Sequence, residues 1–308
     1  MGSGNKEPIA RAGPMRVAVI GANGQLGHDV CSAFSAAKNE VVALDHSRIE
    51  ISSSESVRNA LESIRPNLVI NTAALPNVDK CEIEPAPAFA VNALGARNVA
   101  QTSDALGATL IHISTDYVFD GLKKSPYTEG DAVMPLNVYG NTKLSGEYFV
   151  RGAIQRHFLV RVSAIYGHNP CRGKGGLNFV ERMLKLAREQ SEVRVVDDEM
   201  VTPTPTSEIA KQLVILSAIQ NYGLYHASSE GSCSWYDFAA AIFSLTGTTA
   251  RLARANPSEF PARAPRPKYS VMENAALKKR SLNVFSTWQD GLANYLAQRK
   301  EPGSPAGK

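Results

Sequence analysis

Tyr139 and Lys143 stand four residues apart in Pro135-Leu136-Asn137-Val138-Tyr139-Gly140-Asn141-Thr142-Lys143, and a helix beginning near Asn137 puts them on one face. A phenol with a pKa near 10 is a poor proton donor or acceptor at neutral pH until a neighbouring cation favours its phenolate. Bringing it near neutrality needs roughly 4 kcal/mol of differential stabilisation, at about 1.36 kcal/mol per pKa unit, and Lys143 is the obvious source. Thr115 lies in Ser114-Thr115-Asp116-Tyr117-Val118-Phe119-Asp120-Gly121, directly after the apolar run Thr109-Leu110-Ile111-His112-Ile113. At the carboxyl end of a buried strand, where open α/β sheets bind ligands, its hydroxyl could bond the carbonyl oxygen that Tyr139 protonates. An exposed helical Tyr and Lys pair is the ordinary alternative, and the rest of the chain decides between them.

The elements that would position these residues begin at Met15. Arg16-Val17-Ala18-Val19-Ile20 reads as a strand buried on both faces and leads into Gly21-Ala22-Asn23-Gly24-Gln25-Leu26-Gly27, then a helical pattern through Val30 and Phe34. Strand, glycine turn and helix in that order make a phosphate site, because glycine lets the backbone approach a pyrophosphate and a helix start offers free N–H groups. The spacing is G-x-x-G-x-x-G, so a dinucleotide is expected across Gly21, Asn23, Gly24, Gln25, Leu26 and Gly27. Val41-Val42-Ala43-Leu44 is the second strand, and Asp45 at its end could accept hydrogen bonds from an adenosine ribose, which favours NAD(H). Arg48 could instead meet a 2′-phosphate, so NADPH and NADH both stay open; Asp45 could also simply close the turn.

A helix is expected from about Ser54 to Ile64 with Ser-x-x-Ser capping, ended by Pro66. Leu68-Val69-Ile70 is the next strand, and Ala73 and Ala74 after it are small enough for a cofactor to lie against. Pro85 to Ala105 carries a long helix with Phe89, Val91, Leu94, Val99 and Leu106 as its inner stripe; Asn92 within it, if buried, would orient the backbone near Lys143. With the strand Phe158-Leu159-Val160-Arg161-Val162 this alternation implies an α/β fold, a doubly wound parallel sheet. From Ser163 the regularity fails. Gly167 to Gly176 reads as a mobile loop, Leu177–Glu189, Ser207–Ile219 and Trp235–Leu245 as helices, Val193–Val196 and Leu224–His226 as short strands, and Asn256–Lys268 as irregular. The expected division is a segment 1–14 that is disordered or tag-like, a dinucleotide-binding domain at 15–162 with returning pieces near 202–226, a smaller substrate domain within 163–300, and a tail at 301–308.

The 308 residues carry a net charge of +4 with no basic block, which makes nucleic acid and membrane surfaces poor partners. No apolar run approaches the roughly 20 residues of a membrane span and no secretory leader is evident, so the chain reads as cytoplasmic. Cys31, Cys81, Cys171 and Cys233 are far apart and form no C-x-x-C pair; they read as free or buried thiols. The histidines lack metal-ligand spacing, and no metal site is expected.

Together the glycine turn, the Ser114–Gly121 run, the Pro135–Lys143 run with Gly146-Glu147, and Arg266-Pro267 resemble the extended short-chain dehydrogenase/reductases, and within them the dTDP-4-dehydrorhamnose reductases, over nearly the whole ordered chain. The resemblance implies a Rossmann fold with a smaller C-terminal substrate domain, and NADPH or NADH as cofactor. It implies Tyr139 as general acid, Lys143 on the nicotinamide ribose lowering the Tyr139 pKa, and Thr115 polarising the carbonyl. It also implies hydride delivery to C4 of a 4-keto-6-deoxy sugar held by its nucleotide, with Asp116, Tyr117, Asn178 and Arg266 on the substrate side. A homodimer is compatible with it. Sugar-nucleotide dehydratases place Asp-Glu after the Thr; here the pair is Asp116-Tyr117, which favours simple ketone reduction over loss of water.

Two departures bear on the sugar. The strand after the catalytic helix ends Arg161-Val162-Ser163-Ala164, where the family often has Trp in place of Ala, and Val201 stands where Gly is usual in Asp198-Glu199-Met200-Val201-Thr202-Pro203-Thr204. A second reading is a non-catalytic NAD(P)-binding protein resembling the regulatory subunit of methionine adenosyltransferase, and a third is a reductase of another nucleotide sugar. Asn178 could bond a base or phosphate or merely cap a helix, and Arg266 could grip a diphosphate bidentately or lie at the surface.

Overall fold

The structure, a computed structural model, describes residues 13–259 and 262–299. Apart from Gly13 and Pro14, the expected N-terminal segment and the tail at 301–308 lie outside the described residues. β1 (Arg16–Ile20) is buried from its second residue on, α1 (Gln25–Ala36) buries Val30 and Phe34, and β2 (Glu40–Leu44) returns beside β1. α2 (Ser54–Ile64) starts on Ser53, whose hydroxyl accepts the Ser56 N–H, and ends at Arg65 in the left-handed region before Pro66. After β3 (Leu68–Asn71) come α3 (Val78–Ile83) and α4 (Pro85–Phe89), and a π-helical turn, Ala90–Leu94, runs on into α5 (Gly95–Ala105). β4 (Thr109–Thr115) is buried along all of its length, and α6 (Val138–Ala153) leads to β5 (His157–Val162). The second half adds β6 (Ile165–Tyr166), α7 (Phe179–Glu189), β7 (Glu192–Val196), β8 (Met200–Val201), β9 (Thr204–Pro205), α8 (Thr206–Ser217) and β10 (Gly223–His226). It closes with β11 (Cys233–Ser234), α9 (Trp235–Thr246), β12 (Arg251–Ala255), α10 (Ala275–Lys278) and α11 (Trp288–Gln298).

Six strands form one parallel sheet in the order β10-β5-β4-β3-β1-β2. Alternate residues of each strand face opposite sides, which splits the core. Val17, Val19, Ile111 and Val160 pack with Val30 and Phe34 of α1 and Ile209 and Leu213 of α8. Ala18, Ile20, Leu110 and Leu159 pack with Val57 and Leu61 of α2, Val99 of α5 and Val150 of α6. Helices therefore cover both faces, as doubly wound sheets require. A third core, with Val180, Leu184, Val195, Phe238, Trp288 and Leu292, joins α7, α9 and α11 to the parallel pair β7 and β12. No described helix is long and apolar enough to cross a membrane.

The structure departs from the sequence reading most in the C-terminal part and in the helical run after β3. β12 and α11 have no counterpart in the reading of the C-terminal part. In the long helical run, Phe89 and Leu94 are 40% and 46% exposed, and the inner face is Ala88, Ala93, Ala96, Val99 and Ala100. The π-helical turn fits one extra residue into its turn and rotates the stripe. Small residues then let the helices meet closely, and an added Cβ at Gly146 of α6 would lie 2.5 Å from the Asn92 carbonyl oxygen.

Candidate active site

The strand order reverses between β1 and β3, and ligands in open α/β sheets bind at the carboxyl ends beside such a reversal. Here Ile20 is in register with Asn71, which brings the glycine turn against Thr72 and Ala73. Gly21 takes φ +81°, and a Cβ on Gly27 would sit 2.2 Å from the Gly21 carbonyl oxygen, so only glycine lets α1 start this close to the turn. The start of α1 carries no side-chain cap, since Gly24 is its N-cap. Its first N–H groups are thus left for a ligand phosphate.

Around this cradle the expected cofactor residues divide. Asn23 is exposed and Gly24, Ala73 and Ala74 partly so, consistent with a ligand-facing surface. Leu26 belongs to the core, and the Gln25 amide donates to the Gly167 and Asn169 carbonyls, both at 3.1 Å. That leaves these two only their backbone N–H groups for a cofactor. The Asn92 side chain is likewise spent: it accepts the Leu75 N–H (2.8 Å) and donates to the Leu75 carbonyl (3.2 Å) and Thr142 Oγ1 (3.0 Å). It pins the loop after β3 to the turn of α6 that carries Lys143. Asp45 closes β2 and accepts from the Ser47 hydroxyl (2.6 Å) and N–H (3.0 Å) at Oδ1. These bonds hold its carboxyl below its usual range. Arg48 folds back on the Ala43 carbonyl (2.8 Å).

Tyr139 and Lys143 lie in the first turns of α6, which Asn137 caps by accepting the Gly140 N–H at 2.8 Å. A Cβ on Gly140 would come 2.3 Å from the Tyr117 carbonyl oxygen; the glycine lets α6 press against the turn that follows β4. Thr115, at the end of β4, acts on the Tyr139 phenol and lowers its pKa, and the Tyr117 ring packs edge-on against Tyr139 with centroids 5.9 Å apart. Burial pushes the Tyr139 phenol well above its usual pKa, the contact with Thr115 pulls it down, and the Asp116 carboxylate and Cys81 push it further up. Lys143 does not produce the expected fall toward neutrality. It is 2% exposed, donates to the Ile113 carbonyl at 2.7 Å, and burial lowers its own pKa to about 8 against the opposing pull of Glu147. An upward shift favours the protonated phenol, the form a proton donor needs.

A buried ion pair braces this arrangement. Glu147, one turn beyond Lys143, accepts from Arg161 Nε (2.8 Å) and Nη2 (2.7 Å) and from the Ser114 hydroxyl (2.6 Å). Arg161 and Glu147 are 2% and 1% exposed, and the guanidinium lies 5.2 Å from the Phe119 ring centroid. α6, β4 and β5 are locked together one residue from Thr115.

On the substrate side, Arg266 is half-buried, bonded to Asp79 at 2.9 Å, and close enough to Tyr117 and Glu199 to feel their charges. Glu199 accepts the Trp235 indole N–H at 3.2 Å. Arg266 and Glu199 both act on the Tyr117 phenol, in opposite directions. Asn178 is placed elsewhere: it caps α7 through the Glu181 N–H (3.0 Å) and donates to the Gly167 carbonyl (2.7 Å) and Tyr295 hydroxyl (3.2 Å). The helix-cap alternative is the one the structure gives. Asp116 is 4% exposed and accepts from Thr115, Ser163 and Ser270 hydroxyls, so its oxygens are taken up within the protein and it does not present itself to a sugar. Asp79, Glu199, Ser163 and Ser270 escaped the sequence reading, since nothing local marks a residue whose partner is many tens of residues away. The four cysteines are all free. Among the described residues no cluster of three or more His, Cys, Asp or Glu is arranged to hold a metal.

A family model described as the RmlD substrate binding domain matches residues 15–301, and the chain belongs to that family. The spore coat polysaccharide biosynthesis protein SpsK of Bacillus subtilis is 38% identical over 284 residues, covering 92% of this chain and 98% of the relative. A dTDP-4-dehydrorhamnose reductase from Clostridium acetobutylicum superposes with a TM-score of 0.88 at 38% identity, over 92% of this chain and 99% of that one. The dTDP-4-dehydrorhamnose reductase of Bacillus anthracis, solved in complex with NADP, gives a TM-score of 0.88 at 36% identity, over 93% and 100%.

Proposed function

We propose that this protein is an NAD(P)H-dependent oxidoreductase that reduces the 4-keto group of a nucleotide-linked 6-deoxy sugar, as the names of its relatives suggest. What supports the reading is that Thr115 ends β4, that Tyr139 and Lys143 lie in the first turns of α6, with Lys143 bonded to the Ile113 carbonyl of β4, and that a glycine cradle a single Cβ would fill opens at the same edge of the sheet. The uncapped start of α1 and the small surface at Ala73 and Ala74 fit a dinucleotide. A bound reduced nicotinamide supplies the hydride for the sugar C4. Tyr139 then gives its proton to the oxygen that gains negative charge, and Lys143, released from the Ile113 carbonyl or shared with it, holds the ribose and offers positive charge to the phenolate left behind. Thr115 and Tyr117 bound the position of the reacting carbon. Arg266 can exchange Asp79 for a diphosphate, for which its planar fork is suited. In this reading residues 15–162, with the returning α8 and β10, hold the cofactor, and most of 163–300 holds the nucleotide sugar.

The test is loss of absorbance at 340 nm from NADPH and, separately, NADH with enzymatically generated dTDP-4-keto-6-deoxy-L-sugar. Turnover supports the reading. Cofactor binding without turnover turns it toward another nucleotide sugar, for which Ala164 with its left-handed backbone (φ +44°) leaves the wall after β5 low, or toward the regulatory alternative. Asp45 separates the cofactors. If its free oxygen meets a ribose 2′-hydroxyl, Asp45→Ala weakens NADH by about tenfold, the value of roughly one charge-assisted hydrogen bond, and leaves NADPH unchanged or tighter. Equal weakening of both in a fluorescence titration would remove that assignment.

A further inference from the structure

The buried carboxylate of Asp116 touches no surface on which a sugar could lie, yet it faces the catalytic centre through another side chain. Thr115 Oγ1 has one hydrogen and two lone pairs. Asp116 Oδ1 lies 3.0 Å from it and accepts its hydrogen; burial raises the pKa of this carboxyl, and the Ser270, Ser163 and Thr115 hydroxyls that donate to it pull the other way. One lone pair takes the Tyr117 N–H at 3.2 Å. The other is left for the Tyr139 hydroxyl. In this arrangement Thr115 is an acceptor toward Tyr139, not the donor to a substrate carbonyl that the residue type suggests. The other carboxylate oxygen accepts from Ser163 after β5 (2.8 Å) and from Ser270 (2.6 Å). Ser270 sits four residues beyond Arg266, and its N–H bonds the Met200 carbonyl next to Glu199 at 2.9 Å.

We propose that Asp116 is a positioning residue for the reduction: by taking the Thr115 hydrogen it aims the Tyr139 O–H, and through Ser270 it ties that setting to the segment carrying Arg266. The inference rests on the reductase reading. In the proposed resting state the Tyr139 hydroxyl donates to Thr115, whose own hydrogen goes to Asp116. A carbonyl oxygen entering the site draws the Tyr139 hydrogen away from Thr115, the proton passes to the oxygen as the hydride reaches carbon, and the Thr115 hydrogen can swing from Asp116 to the new phenolate. No proton leaves Thr115 or Asp116 in this step. The Asp116 charge also opposes early ionisation of Tyr139, as the neighbouring Tyr117 likewise feels it together with Arg266 and Glu199.

The test compares Asp116→Asn with Ser163→Ala and Ser270→Ala, using NADPH and dTDP-4-keto-6-deoxy-L-sugar. An Asn at 116 can accept on one side only: with its oxygen on Thr115 its N–H₂ meets the Ser163 and Ser270 hydroxyls that donate there, and with its oxygen on the serines the N–H₂ meets Thr115, so the Thr115 hydrogen loses its fixed direction. Asp116→Asn is expected to lower kcat by about 100-fold, comparable to losing one preorganised hydrogen bond at a reacting oxygen, with NADPH affinity within about threefold. KM for the nucleotide sugar should stay within about threefold, so that the loss falls in kcat. Ser163→Ala, which removes a bond on the far side of the carboxylate, should lower the melting temperature and leave kcat within about twofold. Ser270→Ala should raise KM for the nucleotide sugar more than it lowers kcat. A kcat for Asp116→Asn within threefold of wild type, or a loss that falls in KM and melting temperature and leaves kcat as Ser163→Ala does, would overturn the positioning role. A wild type without turnover would overturn the reductase reading itself, and the positioning role with it.

Discussion

Replacing Tyr139 by Phe is expected to lower kcat by about 10³-fold, in the range that a positioned general acid contributes, while NADPH binds within about threefold of wild type. The ring is kept, so its edge-on packing against Tyr117 and its place in the first turn of α6 persist. Only the hydroxyl that reaches Thr115 is lost. The effect therefore belongs in kcat, because the proton is needed as the alkoxide forms and adds little to the ground state. Stopped-flow or steady-state loss of 340 nm absorbance reads the first half of this expectation, and a fluorescence titration of NADPH reads the second. Undiminished turnover would remove Tyr139 as the acid.

Glu147→Ala has the largest expected effect on stability. Arg161 and Glu147 are almost wholly buried, bonded bidentately, and joined by the Ser114 hydroxyl. Removing the carboxylate leaves a guanidinium charge with no counterion in a dry interior, a change that costs about 3–5 kcal/mol. For a chain of this size that amounts to a melting temperature roughly 5–10 °C lower, readable by calorimetry or circular dichroism. Cofactor affinity should fall as well, since Glu147 opposes the loss of charge on buried Lys143. Glu147→Gln, which keeps the shape, should fall between. A melting temperature within about 2 °C of wild type for Glu147→Ala would show that the pair is dispensable and that the bracing of α6 lies elsewhere.

Much of this framework was legible in the sequence because its signals are local. Buried apolar runs such as Val17–Ile20 and Leu68–Ile70, punctuated by glycine, announce parallel strands, and the spacing of Tyr139 and Lys143 fixes a shared helical face whatever surrounds it. What stayed hidden depends on where a side chain turns. Asp116, Asn92 and Gln25 lie beside the site and Asn178 apart from it, and each turns side-chain polar atoms to the scaffold, on partners 17 to 154 residues away for most of those bonds. The inner stripe of the Pro85–Ala105 run was misread because a π-helical turn at Ala90–Leu94 breaks the 3.6-residue period on which the reading relied. Arg251–Ala255 shows none of the apolar continuity of a central strand, because it pairs only with β7 and leaves most of its residues partly or fully exposed. The expected pull of Lys143 on Tyr139 failed for a related reason: spacing brings two side chains to one face but does not say that the ammonium will choose the Ile113 carbonyl.

Hydride transfer to the sugar C4 with Tyr139 as acid is tested by following the label. The wild type is incubated with dTDP-4-keto-6-deoxy-L-sugar and NADPH carrying deuterium at both C4 positions of the nicotinamide, and the product sugar is analysed by mass spectrometry and proton NMR. One deuterium at C4 of the product, formed in step with loss of 340 nm absorbance and suppressed about 10³-fold in Tyr139→Phe, is the predicted result. Deuterium at another carbon, a product lacking it, or full labelling by Tyr139→Phe would contradict the account.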